Sequence, residues 1–256
     1  MTAENDSGTA TAIAAAVRAG KLKAVDIARA ALARIRRDNE KLNAFTAVTA
    51  ERALAEAARV DAQVTRGLDP GPLAGVPFAV KNLFDIAGLT TVAGSKIDRD
   101  KPPAQGDAAA VVRLNRAGAV LLGALNMDEY AYGFTTENSH DGPCRNPHDL
   151  TRVAGGSSGG SGAAVAGGLV PLTLGTDTNG SIRVPASFCG TFGLKPTYGR
   201  LTRRGAAPFV SSLDHIGPLA RSVADIAAAF DAMQGPDPAD PVCTARPAEA
   251  TLPQSP

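Results

Sequence analysis

The first part of the chain has the apolar pattern of helices. Over residues 10–67, apolar residues recur at three- and four-residue spacings with alanine between them, which is typical of amphipathic helices. Gly20 and Gly67 are placed where two of these helices would end. The pattern therefore predicts an N-terminal helical region over residues 10–67. The polar residues 1–9 before it are predicted to be disordered.

A second pattern begins after the proline- and glycine-rich segment 67–72, where short apolar runs alternate with helical stretches. Three of these runs predict buried strands: Val76–Val80, Ala119–Leu122 and Leu169–Leu174. Because strands and helices alternate along the sequence, we expect an α/β fold over residues 68–234.

Two helices in this second region have recognisable ends. Asp107 can cap the N-terminus of a helix that ends at Gly118. Residues 222–233 have the spacing of a last amphipathic helix. Residues 235–256 form a proline-rich tail without periodicity, so we expect the ordered domain to stop near Gln234.

Composition and charge argue against several classes of protein. The 256 residues, 44% of them hydrophobic, are enough to bury a core. The net charge is +1 and the basic residues are scattered, so no surface for direct nucleic-acid binding is expected. No leader sequence or membrane-spanning run is evident either. The isolated cysteines lack the spacing of a zinc or redox site and fit a reducing cytoplasm: Cys144, Cys189 and Cys243.

The densest chemical signal is a pair of glycine-rich turns that each carry a serine. The first turn, residues 155–162, reads GGSSGGSG, and the second, residues 175–183, reads GTDTNGSIR. Glycine permits positive φ and lets backbone amides approach a ligand, so such turns can bind an anion or an oxyanion. A phosphate-binding loop is one alternative. Neither turn, however, contains the lysine that a P-loop places before its serine or threonine.

A nucleophile elbow is a second alternative, because the spacing of Gly155, Ser157 and Gly159 matches G-x-S-x-G. The elbow requires a strand directly before it, whereas residues 145–153 contain Asn-Pro and polar residues typical of a loop. A histidine-based triad is not expected, since each histidine lies outside a serine- and glycine-rich context: His140, His148 and His215.

Three features together resemble the amidase signature family. They are Lys81 after an apolar run, the turn GGSSGGSGAA, and the segment TDTNGSIRVPASFCGTFGLKPTYGR. The resemblance covers residues 10–236. The stretches VKNLFDIAGLTTVAGSKI and NMDEYAYGFTTENSHDGPCRNPHD are most similar to biuret and carboxybiuret hydrolases, with the A-type subunits of glutamyl-tRNA amidotransferases next. The resemblance implies a mixed central sheet covered by helices. Residues 68–234 would hold an incomplete core, the N-terminal half of the family's fold.

Carried over to this sequence, the resemblance implies that Ser181 is the nucleophile, Ser157 a bridging serine after a cis peptide bond, and Lys81 the base. A serine hydroxyl needs a neighbouring base to take its proton. Lysine is a base only when neutral, and the apolar run before Lys81 predicts a buried site that lowers its pKa. Thr176 would steady the bridging serine. The resemblance also implies an oxyanion hole made of the backbone amides of Thr178, Asn179, Gly180 and Ser181.

Other residues in these turns have ordinary structural explanations. Ser158 and Ser161 fit helix capping or packing, and Cys189 fits a small core residue. Asp177 and Arg183 are expected to be structural partners around the second turn.

The second turn departs from the family at Asn179, where many members carry glycine. Asparagine tolerates left-handed backbone better than other residues with a side chain, so we expect the turn to survive. This departure favours the biuret-type branch of the family.

The function implied is hydrolysis of a small carboxamide or biuret-like substrate through an acyl-enzyme, without a metal or organic cofactor. One alternative is the glutaminase component of a tRNA-dependent amidotransferase, which would take a small accessory subunit of the C type. Another is an inactive fragment that serves as an assembly partner, and homo-oligomers stay open.

Because the family's domain is longer than this chain, the strands near Val76, Ala119 and Leu169 are expected to leave apolar surface uncovered. The chain alone is expected to be inactive.

Overall fold

The computed structural model of the protein describes residues 8–251, which contain seven α-helices and ten strands. The helices are α1 (Ala10–Arg18), α2 (Ala24–Leu42), α3 (Ala50–Thr65), α4 (Ala109–Arg116), α5 (Gly159–Ala166), α6 (Arg183–Cys189) and α7 (Val223–Met233). The strands are β1 (Phe45–Val48), β2 (Pro77–Lys81), β3 (Val120–Leu125), β4 (Glu137–Asn138), β5 (Gly142–Pro143), β6 (Arg145–Asn146), β7 (Asp149–Val153), β8 (Leu172–Asp177), β9 (Phe192–Gly193) and β10 (His215–Ala220).

Six of these strands form one mixed sheet in the order β1-β3-β2-β8-β10-β9. Strand β2 is parallel to its neighbours β3 and β8, whereas β1 is antiparallel to β3 and β10 is antiparallel to both β8 and β9. Helices α3 and α4 contact β3, α5 contacts β8, and α7 contacts β10. The predicted α/β fold with a mixed, helix-flanked sheet is thus confirmed. No helix within residues 8–251 is long and apolar enough to cross a membrane.

The N-terminal region is helical as predicted, but it also contains a strand. Gly20 and Gly67 follow α1 and α3 with φ of +68° each, which is the left-handed backbone that commonly ends a helix. Between α2 and α3, β1 pairs with β3 at the edge of the sheet. Four residues are too few for their alternation to stand out from the helical pattern on either side.

The three predicted strands correspond to β2, β3 and β8, but the apolar surface expected along them is not there. Every residue of these strands is buried, because they occupy the middle of the sheet. Exposed apolar side chains lie elsewhere on the surface, and three of them are on and around the edge strand β9: Phe188 is 52% exposed, Phe192 50% and Val223 57%. We call these three residues the β9 edge.

Asp107 does not cap α4, which corrects the prediction. The helix begins at Ala109 without a side-chain cap. The Asp107 carboxylate instead accepts hydrogen bonds from both Nη atoms of Arg52 at 2.7 Å and from the amide of Ala87 at 2.9 Å. A charged partner on α3 outcompetes the local cap, since charge-assisted bidentate bonds are stronger than neutral ones.

The ordered part extends beyond Gln234, which corrects the predicted limit. Residues 235–251 contain no helix or strand, as their composition predicted, yet they are bonded to the domain. The Asp237 carboxylate accepts from Thr202 Oγ1 at 2.8 Å, and the Asp240 carboxylate accepts from the amide of Arg203 at 2.7 Å. Proline-rich composition predicts the lack of periodicity but not these long-range bonds.

Part of the predicted N-terminal disorder, residues 1–7, lies outside the described residues. Thr9 is described and caps α1, because its side chain accepts a hydrogen bond from the amide of Ala12. The last helix is also capped, as Ser222 Oγ accepts from the amide of Asp225 at 3.1 Å. This agrees with the predicted start of that helix.

Candidate active site

The residues singled out by sequence converge at one edge of the central sheet. Lys81 is the last residue of β2, and Thr176 lies at the end of β8. Since β2 and β8 are parallel neighbours, their carboxyl ends meet at the same edge, which is where sites form in such sheets. Ser157 lies in the turn before α5, and Ser181 lies in the turn between β8 and α6.

Lys81 is completely buried and hydrogen-bonded to two hydroxyl groups. Its Nζ donates to Ser157 Oγ at 2.7 Å and to Thr176 Oγ1 at 3.0 Å. Burial lowers the pKa of Lys81 to about 7, although nearby carboxylates act in the opposite direction. A neutral amine is therefore accessible near neutral pH, which is what a base requires.

Thr176 contacts Lys81, which in turn contacts Ser157, the residue that the resemblance implied Thr176 would steady. The Thr176 hydroxyl accepts a hydrogen bond from the Lys81 amine and so helps to fix the position of that amine. Ser158 and Ser161 bond to β8 through their hydroxyls, to the carbonyls of Thr176 at 3.2 Å and Leu174 at 2.9 Å. Ser158 precedes α5 without capping it through its side chain, so of the two expected roles, packing is the one observed.

Asp177 and Arg183 shape the turn that carries Ser181, as expected of structural partners. The Asp177 carboxylate is buried and accepts from Arg183 Nε and Nη2 at 3.0 Å each. It also accepts from the amides of Gly180 at 2.7 Å and Ile182 at 3.2 Å. Burial alone would raise the pKa of Asp177, but these hydrogen bonds hold it below its ordinary value. The turn is therefore built around a carboxylate that stays ionised.

The amides predicted for the oxyanion hole differ in what they bind. The amide of Gly180 donates to Asp177 and is already engaged. Within residues 8–251, the amides of Asn179 and Ser181 donate no hydrogen bond. The positive φ falls on Gly180, at +138°, and not on Asn179, so the turn does not depend on the left-handed tolerance of asparagine.

The two serine turns are joined by the backbone. The amide of Ser158 donates to the carbonyl of Ser181 at 3.2 Å. The peptide bond between Gly156 and Ser157 is cis, as the resemblance implied. Ser157 is fully buried and Ser181 is 4% exposed. Lys81 and Ser157 are thus in direct contact, and the turn of Ser181 is held beside that of Ser157.

The rival nucleophile elbow is not supported, although residues 145–153 form strands where a loop was predicted. They make the hairpin β6–β7, which is separate from the central sheet whose end an elbow serine would occupy. The histidines have other partners: His140 bonds to Glu129, His148 to the carbonyl of Cys189, and His215 to the carbonyl of Asp177.

Asp128 is a residue of this site that the sequence pattern did not single out. It follows β3, is 8% exposed, and donates its amide to the carbonyl of Ser157 at 3.3 Å. An acidic residue after a buried strand, in the segment NMDEYAYG, was the available signal. No group of three or more acidic, cysteine or histidine side chains able to hold a metal lies within the described part of the chain.

A cavity of about 170 Å³ lies beside Thr176. Its walls include Leu83, Phe209, Asp214 and Ile216. The cavity is therefore bordered by apolar side chains and by four charged ones, those of Arg203, Arg204, Asp214 and Asp240.

Comparison with known proteins identifies the family of the chain. The sequence model of the amidase family matches residues 26–255. The chain is 63% identical over 237 residues to the AtzE subunit of 1-carboxybiuret hydrolase from Pseudomonas sp. (strain ADP), covering 93% of this chain and 52% of that protein. It is 51% identical over 238 residues to the A-type subunit of glutamyl-tRNA(Gln) amidotransferase from Anaeromyxobacter dehalogenans (strain 2CP-C), covering 93% and 48%.

Solved structures give the same result. One, described as an unexpected vestigial protein complex that reveals the evolutionary origins of an s-triazine catabolic enzyme, has a TM-score of 0.94 and 61% identity, covering 95% of this chain and 53% of that chain. A bacterial aryl acylamidase of the amidase signature family has a TM-score of 0.87 and 32% identity, covering 93% and 49%. The chain spans about half the length of these relatives. From this family match, and from the fold shared with those structures, we conclude that the chain belongs to the amidase signature family.

Proposed function

We propose that this chain carries the catalytic residues of an amide hydrolase that cleaves a carbon–nitrogen bond through an acyl-enzyme on Ser181. The observation that carries the proposal is the buried Lys81 amine, 2.7 Å from Ser157 Oγ and beside the turn of Ser181. Since burial lowers the pKa of Lys81 to about 7, the amine can take up and return a proton near neutral pH.

The proposed reaction uses one proton path in both directions. Neutral Lys81 accepts the proton of Ser157, which accepts that of Ser181 as the Ser181 oxygen attacks the amide carbon. Free backbone amides at Asn179 and Ser181 stabilise the resulting oxyanion. Protonated Lys81 then returns the proton through Ser157 to the leaving nitrogen, and the carbon–nitrogen bond breaks. Water, deprotonated along the same path, hydrolyses the acyl-enzyme. No step requires a metal or an organic cofactor.

A small urea-like or carboxamide substrate fits this proposal. The 63% identity to a component of 1-carboxybiuret hydrolase supports a biuret-like compound. The cavity of about 170 Å³ beside Thr176 gives room for a molecule of that size. Because the relatives are about twice as long as the chain, we propose that the active form includes further protein, either continuous with this chain or supplied by another.

Labelling of the nucleophile tests the proposal. The chain, coexpressed with the C-terminal half of the carboxybiuret hydrolase relative, is treated with a fluorophosphonate and digested for mass spectrometry. The label should be on Ser181 and should disappear in Ser181→Ala, because the probe reacts with activated serine oxygens. Ser187→Ala, which alters an exposed serine on α6, is the matched control and should label fully. Labelling that persists in Ser181→Ala would contradict the nucleophile assignment.

A second candidate is the glutaminase component of a tRNA-dependent amidotransferase. The 51% identity to such an amidotransferase favours it, and it would bring a small accessory subunit. The structural relative described as a protein complex supports such a partner for either function. Glutaminase activity that appears only with a tRNA-binding partner would favour this candidate over the biuret-type hydrolase. An inactive assembly fragment is the third alternative, and absence of labelling in every complemented form would favour it.

A further inference from the structure

Asp128 places a buried carboxyl group next to the serine turn without contacting the reacting atoms. Its backbone amide donates to the carbonyl of Ser157 at 3.3 Å. Its Oδ1 accepts from the amide of Thr136 at 3.0 Å. Within residues 8–251, Oδ2 has no hydrogen-bond partner. Such a group is costly to bury, because a desolvated oxygen loses its water without replacement.

Two glycines make the space that this carboxyl group occupies. A Cβ at Gly133 would lie 2.6 Å from Asp128 Oδ1, and one at Gly156 would overlap Oδ2. Gly156 directly precedes the bridging serine, so the carboxyl group sits against the backbone of that turn. The absence of a side chain at both glycines therefore leaves room for a carboxyl group against the backbone of the serine turn.

The charges of three carboxylates oppose the effect of burial on the pKa of Lys81, namely those of Asp128, Asp214 and Asp177. Asp177 is paired with the guanidinium of Arg183, and Asp214 accepts from Thr178 Oγ1 and from the amides of Phe209 and Val210. The negative charges of Asp177 and Asp214 are therefore partly balanced by these hydrogen-bond donors. Asp128 has no such cation within salt-bridge distance among the described residues.

Among the groups that affect the pKa of Asp128, Lys81 is the one that can carry a positive charge. Burial raises the pKa of Asp128 above its ordinary value, while the amide of Thr136, the charge of Lys81, the amide of Thr135 and the hydroxyl of Thr136 act in the opposite direction. Cys144 also faces Asp128, and burial first, then Cys189 and Asp128, raise the pKa of that thiol well above its ordinary value, so it stays neutral. A cation on Lys81 and an anion on Asp128 therefore stabilise each other across the site.

We propose that Asp128 is a positioning residue that supplies the counter-charge for Lys81 and stabilises the ammonium that forms when Lys81 holds the proton of Ser157. The inference rests on the proposed role of Lys81 as the base. Asp128 forms no bond to the substrate and exchanges no proton. It makes Lys81 a stronger base than burial alone would allow, and so favours removal of the Ser181 proton.

The test is the pH dependence of Ser181 labelling by the fluorophosphonate in the complemented protein. In the unaltered protein, the rate should rise with pH through about 7, as Lys81 becomes neutral. In Asp128→Asn, which keeps the shape and an acceptor for Thr136, the rise should move to lower pH by on the order of one unit. The rate at the plateau should fall as well, because the base is weaker.

Asp225→Asn is the matched control. Asp225 is 1% exposed and accepts a hydrogen bond from the amide of Thr11 at 2.8 Å. Its Oδ2 has no partner among the described residues. Unlike Asp128, it is not among the charges that affect the pKa of Lys81. Its pH profile should coincide with that of the unaltered protein. If Asp128→Asn does not fold, as judged by circular dichroism, Asp128→Ser removes the charge with a smaller side chain and should give the same shift.

An unshifted profile in a folded Asp128 variant would overturn the inference and leave the proposed function intact. A rise through about 7 that persists unchanged in Lys81→Met would instead overturn the role of Lys81 as the base, and the inference with it. The two failures are therefore distinguishable.

Discussion

The Lys81 site and the β9 edge are opposite in what they bury. At the Lys81 site, charged and polar groups are withdrawn from water and bonded to one another, as in the contact of Lys81 with Ser157 and Thr176. At the β9 edge, Phe188 and Phe192 are apolar and half exposed. Burying an amine costs stability and changes its chemistry, whereas exposed apolar side chains at a sheet edge are typical of a surface that contacts other protein.

This contrast separates the part of the molecule expected to carry the chemistry from the part expected to contact other protein. The groups proposed to transfer protons lie within residues 8–251, at the end of an interior strand or in turns next to one. The apolar edge lies at one end of the strand order, where β9 has a neighbour on one side only. We therefore expect changes at Lys81 to affect chemistry, and changes at the β9 edge to affect association.

The largest effect is expected from Lys81→Met, which keeps an unbranched apolar stem and removes the base. Acylation of Ser181 should slow by about 10²–10⁴-fold, the range typical of losing a general base. Single-turnover labelling by the fluorophosphonate measures it. A rate within a few-fold of the unaltered protein would show that another group takes the serine proton.

The same substitution should change how stability depends on pH. The pKa of Lys81 is about 7 in the folded chain and 10.5 ordinarily, so between these values the unfolded state binds the extra proton. The free energy of unfolding should then rise with pH across this range, by up to about 1.4 kcal/mol per unit from this group. Urea unfolding of Lys81→Met should lack that contribution. If the free energy of unfolding depends on pH in the same way in both proteins, Lys81 is not a buried lysine with a lowered pKa.

The smallest effect on the chemistry, and a direct effect on association, is expected from Phe192→Lys. A charged residue on an edge strand discourages pairing and aggregation, so the chain purified alone should stay dispersed at higher concentration. Sedimentation at several concentrations measures this. Thr191→Lys, next to it on the chain, adds the same charge without removing an apolar side chain. Equal sedimentation of Phe192→Lys and the unaltered chain would show that the β9 edge does not drive association.

Much of the fold and the list of site residues could be predicted from sequence. The apolar runs that became β2, β3 and β8 each follow a glycine, so their local pattern predicts the strands to within a few residues. The family resemblance, carried by the two serine turns and Lys81, is confirmed by the comparisons. The roles of Lys81, Ser157 and Ser181 stay predictions until the labelling experiments are done.

The tertiary structure decided which groups meet. Thr176 binds Lys81, 95 residues away in the chain, and Asp107 binds Arg52, 55 residues away. The sequence had predicted a helix cap for Asp107. Asp128 joins the site for the same reason. Periodicity and capping depend on neighbours in the chain, and the sequence determines them. Hydrogen-bond partners and buried charges depend on which strand ends the fold brings together, and these become visible once the sheet is assembled.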